Sequence, residues 1–173
     1  VLANQLAKAF WPAPLTLVLR RSKEIPDLVT AGGPTVGVRW PGHPFIQAVI
    51  RACGFPLAAP SANLSGAVSP TNAGHVHKGL GDKIRLIVDG GQAQVGIEST
   101  VFDLSISPPR VLRPGIIHAE SLRASVGDFE SRISNFKSSD AGNKALRSPG
   151  QLPKHYSPAA KLVVLSWRDD KDL

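Results

Sequence analysis

Residues 35–66 read TVGVRWPGHPFIQAVIRACGFPLAAPSANLSG. Thr35 to Arg39 has the alternation of a strand, with Val36 and Val38 directed inward. The Trp40-Pro41-Gly42 turn follows, and Pro44 then stands where proline suits the first turn of a helix. Phe45, Ile46, Val49, Ile50 and Cys53 recur at helical spacing and predict a buried stripe, and Gly54 ends the helix. Leu57 to Ala59 is a short apolar run that predicts another strand. It leads into PSANLSGAVSPT, residues 60–71, in which four hydroxyls and an amide crowd one loop. Strand, helix and strand in close succession predict an α/β domain.

The flanking sequence extends this pattern. At the start, VLANQLAKAFW places Leu2, Leu6 and Phe10 on one helical face, and Pro12 and Pro14 end that helix. Leu15 to Arg20 alternates like a strand, with Leu15, Leu17 and Leu19 on one face. Residues 21–34 are loop-like, with a turn at Ala31-Gly32-Gly33-Pro34. Thr71 or Asn72 can cap a helix running towards Leu80. Ile84 to Val88 predicts a strand ending in the turn Asp89-Gly90-Gly91. Ser99 to Leu104 and Arg110 to Leu112 predict two strands joined by a turn over 105–109, and Ala119 to Val126 predicts a helix. Together these give a mixed sheet with flanking helices. After Gly127 the chain turns rich in Ser, Asn, Gly, Lys and Arg, which predicts a linker over 128–160. KLVVLSW, residues 161–167, is apolar again and predicts the first strand of a further domain over 161–173.

Composition bounds the function. The 173 residues are 42% hydrophobic, enough for a core, so a disordered chain is excluded. The longest apolar runs fall far short of the ~20 residues of a bilayer span, and no signal peptide is visible, which sets the expectation of no membrane. Cys53 is the one cysteine, which rules out an intramolecular disulfide and a cysteine-based zinc site. A reducing, cytoplasmic setting is expected. The net charge of +7 favours anionic partners without choosing among them. Methionine is absent, and the first helix has no preceding partner, so an upstream part of the domain is expected.

Five constellations carry chemistry. Pro60-Ser61-Ala62-Asn63, continued through Ser65 and Ser69, is either a ligand cradle at a strand end or an ordinary polar turn. Arg39 is either a clamp for carboxylate or phosphate or a surface ion pair. His43, before Pro44, suits structure better than catalysis. In Gly96-Ile97-Glu98-Ser99-Thr100, Glu98 could act as a base or a metal ligand, but a strand-end ion pair fits better. Arg113 stands at a strand end fixed by Pro114-Gly115. His155-Tyr156, framed by Ser-Pro steps, is unusual for a mere spacer. The phosphate-binding Gly-x-x-x-x-Gly-Lys-Ser/Thr motif, Gly-x-Gly-x-x-Gly and Gly-x-Ser-x-Gly are all absent. His75 and His77 lack helical metal spacing and an obvious third ligand.

In order, FWPAPLTLVL, TVGVRWPGHP, PLAAPSANLSGAVSPT, VDGG, GIESTVFDL and VLRPG resemble the threonylcarbamoyl-AMP synthase family, whose catalytic unit is the YrdC-like domain. SPGQLPKHYSP resembles the linker of its two-domain members. The resemblance runs from Ala9 to Pro158. It implies a YrdC-like twisted mixed sheet with a concave ligand-binding face over 1–127. It also implies a nucleotidyltransferase that uses ATP, with Mg2+, L-threonine and bicarbonate to form threonylcarbamoyl-AMP and pyrophosphate. The product would pass to the machinery that modifies adenosine 37 of tRNA, and direct tRNA contact is a further implied partner.

Residue by residue, the resemblance assigns Arg39, the main chain at Ala59, and Ser99 to threonine, with Arg39 on its carboxylate. Thr35, Ser61, Ser69 and Arg113 fall to the nucleotide. Tyr156 would close over it with His155 beside, and Asn63 would order its loop. No covalent nucleophile and no protein metal ligand is implied. Two departures stand out. The family's Pro-Thr-Glu-Thr-like and Lys-Arg-Pro blocks do not occur here, so the chain alone is expected to be weak or inactive. Ala13 replaces the glycine of a Trp-Pro-Gly-Pro element. Two other readings stay open: an RNA-binding module of the same fold without catalysis, and a relative that forms a carbamoyl adenylate.

Overall fold

The computed structural model describes residues 2–129. The greater part of the predicted linker, His155, Tyr156 and the predicted strand from Lys161 lie outside the described residues.

Among the described residues, four strands form one sheet in the order β2-β1-β3-β4. They are β1 (Leu15–Arg20), β2 (Thr35–Val38), β3 (Thr100–Asp103) and β4 (Arg110–Arg113). β1 runs antiparallel to β2 and parallel to β3, with Leu17 opposite both Val38 and Phe102. β3 and β4 form the expected antiparallel hairpin, with an irregularity at Val101/Phe102. The sheet is therefore mixed, as the succession of elements implied.

Side chains alternate between the two faces of a strand. In this register Leu15, Leu17, Phe102 and Val111 share one face, and all four are buried. Helices α1 (Leu2–Phe10) and α5 (Ala119–Val126) cover that face, contributing the buried Leu6 and Leu122. Phe129, the second residue of the predicted linker, packs edge-on against Phe102 with ring centroids 4.7 Å apart. The core thus continues into the segment whose composition marks a linker.

The helix limits follow local chemistry. α1 ends before Pro12, and at Ala13 the chain avoids positive φ, so the missing glycine costs nothing there. α4 (Ala73–Leu80) is capped by Asn72, whose Oδ1 accepts from the His75 N–H at 2.9 Å. Asn72→Ala should lower stability by about 1 kcal/mol, measurable by urea denaturation, because the N–H loses its partner.

Several expectations need correction. The loop over 21–34 contains a short helix, α2 (Asp27–Thr30), supported by an Arg21–Asp27 ion pair. Leu57–Ala59 and Ile84–Val88 form no strands. An apolar run becomes a strand only against a ladder partner, and these runs stay open to solvent, with Leu86 77% exposed. The helix α3 (Pro44–Cys53) forms as expected, yet none of its residues is buried and Cys53 is exposed. Periodicity predicts an apolar stripe but not what lies against it. Val38, expected inward, is exposed because β2 is an edge strand and α1 and α5 cover the centre of the sheet.

Candidate functional site

The strand directions bring four chain segments to one end of the sheet. β1 and β3 are parallel, so their starts lie side by side. The ends of the antiparallel β2 and β4 arrive at the same place. Thr16, Arg39, Ser99 and Arg113 meet there although they come from distant parts of the sequence.

Ser99 is buried at the centre. Its hydroxyl lies 2.8 Å from the Thr16 hydroxyl. Arg113 grips it twice, with Nε donating to the Ser99 carbonyl and Nη2 to the hydroxyl, both at 3.0 Å. The neighbouring Glu98 accepts a hydrogen bond from the Ser69 hydroxyl, and its other carboxylate oxygen lies 3.6 Å from Arg113 Nη2. The ion-pair reading of Glu98 is therefore the one the geometry supports. Thr100 anchors the strand from behind: its hydroxyl donates to the Ile117 carbonyl at 2.8 Å and accepts from the Ile117 N–H at 3.2 Å.

A cleft of about 190 Å³ opens over this cluster, lined by Pro14, Arg39, residues 69–71 and residues 95–99. The Ala93 N–H donates to the Thr71 carbonyl at 2.7 Å and so ties two of these walls together. Burial pushes the Arg39 pKa down, Glu98 pulls it up, and the Arg113 cation pushes it down again. A guanidinium stays charged regardless. A desolvated cation beside a second cation gains from an arriving anion, so this cleft suits a carboxylate or phosphate.

The structure thus brings Arg39, Ser69, Ser99 and Arg113 together. Thr35 begins β2 opposite Arg20, so it stands a strand length, roughly 13 Å, from Arg39. Ala59 and Ser61 are exposed and do not line the cleft. Asn63 donates to the carbonyls of Leu64 at 3.0 Å and Ala67 at 2.9 Å, as a loop-ordering residue would. His43 caps α3, accepting from the Phe45 N–H through Nδ1 at 3.2 Å, which is the structural role expected of it. Thr16 went unmarked in the sequence. Its signal was a lone hydroxyl among leucines in LTLVLR, on the face opposite Leu15 and Leu17.

Comparison with known proteins gives the chain a family. A profile of the Sua5, YciO and YrdC proteins, described as "Telomere recombination", matches residues 2–115. The chain belongs to this family. A second profile, described as "Threonylcarbamoyl-AMP synthase, C-terminal domain", matches residues 117–173. The threonylcarbamoyl-AMP synthase of Pyrococcus abyssi is 42% identical over 98% of this chain and 49% of the relative. That of Bacillus subtilis is 44% identical over 94% of this chain and 46% of the relative. The crystal structure of P. abyssi Sua5 complexed with L-threonine superposes with a TM-score of 0.87 at 42% identity, over 98% of this chain and 49% of that one. This chain therefore spans about half the length of the curated relatives it matches. As a Sua5/YrdC-type sheet it has the expected mixed architecture with flanking helices.

No helix among the described residues is long and apolar enough to cross a membrane.

Proposed function

We propose that this chain carries part of the active site of an L-threonylcarbamoyladenylate synthase. The observation that carries the proposal is the convergence of Arg39, Ser69 and Ser99 on one anion-seeking cleft, with Arg113 bonded to Ser99, in a chain matched almost throughout to synthases. In this reading L-threonine and bicarbonate give the N-carboxylate of threonine and water. A carbamate oxygen then attacks the α-phosphorus of ATP. The new P–O bond forms as the bond to the β-phosphate oxygen breaks, and pyrophosphate leaves with that electron pair. The product serves threonylcarbamoylation of tRNA adenosine 37.

Such a reaction needs positioning and charge neutralisation more than a nucleophilic side chain. Arg39 takes the threonine carboxylate as a planar fork, with Ser99 and the Ala59 main chain beside it. Ser69 and Arg113 hold the nucleotide, joined by Thr35 and Ser61. Tyr156 and His155 belong to the same proposal as the cover over the nucleotide. Because Arg113 also grips Ser99, the threonine and nucleotide pockets share one wall.

Magnesium commonly accompanies ATP on its phosphates. Among the described residues no three His, Cys, Asp or Glu side chains group together, and Glu98 is engaged by Ser69 and Arg113. Magnesium would then be held through the ATP phosphates and water rather than by a cradle of these side chains.

The test is pyrophosphate release from ATP by protein containing this chain. Release is expected only when L-threonine and bicarbonate are both present. Release that ignores either one would overturn the assignment. Salt-sensitive binding of tRNA with no pyrophosphate release would favour the RNA-binding module instead.

A further inference from the structure

Glu98 stands in the cleft wall with no substrate role in the scheme above. Its two carboxylate oxygens face different partners. Oε1 accepts a hydrogen bond from the Ser69 hydroxyl and Oε2 faces Arg113 Nη2 at 3.6 Å. Ser69 lies on the loop after residue 60, and Arg113 ends β4, so no backbone ladder ties the two together. Glu98 itself is held just ahead of β3 by the bonds that Arg113 makes to Ser99. A carboxylate here also carries a cost, because it lies where anionic ligands are to bind. A negative group in such a place needs a compensating benefit, and fixing two nucleotide-binding donors supplies one.

We infer that Glu98 is a positioning residue that aims the Ser69 hydroxyl and the Arg113 guanidinium at the nucleotide. The inference rests on the synthase reading. Removing the carboxylate takes away the acceptor of the Ser69 hydroxyl and the charge that faces Arg113, while the bonds from Arg113 to Ser99 remain. ATP binding should therefore weaken more than L-threonine binding. A merely structural role would weaken both ligands together.

The experiment is calorimetric titration of ATP and of L-threonine into the unmutated protein, Glu98→Ala, Glu98→Gln and Ser69→Ala/Glu98→Ala, with melting temperatures alongside. Glu98→Ala is expected to weaken ATP binding about tenfold, in keeping with loss of a hydrogen bond to a charged group. L-Threonine affinity should change far less. Glu98→Gln keeps an acceptor for Ser69 and should recover part of the ATP loss. In the Ser69→Ala background, Glu98→Ala should cost less than it does alone. The inference is overturned if ATP affinity of Glu98→Ala stays within twofold of the unmutated protein. It is equally overturned if both ligands weaken together with a lowered melting temperature, or if glutamine recovers nothing. Failure of the underlying reading shows separately, as an unmutated protein that binds neither ligand.

Discussion

Arg39→Ala is expected to weaken L-threonine binding by about 2 to 3 kcal/mol, or roughly 30- to 150-fold, the range for a charge-assisted hydrogen bond to a partly buried ion. ATP affinity should move far less, because Ser69 and Arg113 keep their places. Arg39→Lys retains the charge but not the planar fork, so it should fall between the two. Stability offers an independent check. Arg39 is desolvated and pushed by the Arg113 cation, so burial and repulsion oppose the pull of Glu98. Removing it should leave the melting temperature near that of the unmutated protein. A variant that binds L-threonine normally would show that the carboxylate is held elsewhere.

The sequence disclosed this site in pieces. Arg39, Ser69, Ser99 and Arg113 each lie in a short block whose residue types suit an anion, and the blocks of Arg39, Ser69 and Ser99 each admitted a plainer reading as a turn or an ion pair. What turns them into one cleft is the parallel pairing of β1 with β3, in which Leu15 lies opposite Thr100. Nothing local encodes that pairing. It follows from two apolar strands seeking burial under α1 and α5, across a long stretch of chain. Elements whose signals are local were legible: α1 before Pro12, α4 after Asn72, the β3–β4 hairpin and α5 before Gly127. Elements whose identity depends on a distant partner were not. The runs at 57–59 and 84–88 have strand composition without a ladder, and the stripe of α3 has helical spacing without a cover. Thr16 was hidden for a related reason: alternation showed which face it took, and only the register showed that Ser99 shares it.

Gly115→Val is expected to be the most damaging single change on this wall of the cleft. A Cβ at position 115 would lie 2.4 Å from the Thr100 nitrogen, 2.7 Å from the Glu98 carbonyl oxygen and 2.7 Å from the Thr100 hydroxyl. Two of these three are backbone atoms and cannot rotate away. Gly115 is not among the positive-φ glycines, so close approach rather than backbone freedom requires glycine here. Even Gly115→Ala must push the Pro114–Ile117 turn off β3, with a cost of about 3 kcal/mol or more, at the upper end for overpacking. The push would break the paired bonds between Thr100 and Ile117 and carry Glu98 and Ser99 with it. Valine adds two methyl groups to the same collision. If Gly115→Ala still folds, both ATP and L-threonine should bind more weakly, unlike the split expected of Glu98→Ala. Urea denaturation with parallel titrations separates the cases. A Gly115→Ala protein of unchanged stability would mean that the turn can move without cost. In that event the wall shared by the two pockets would not be rigid.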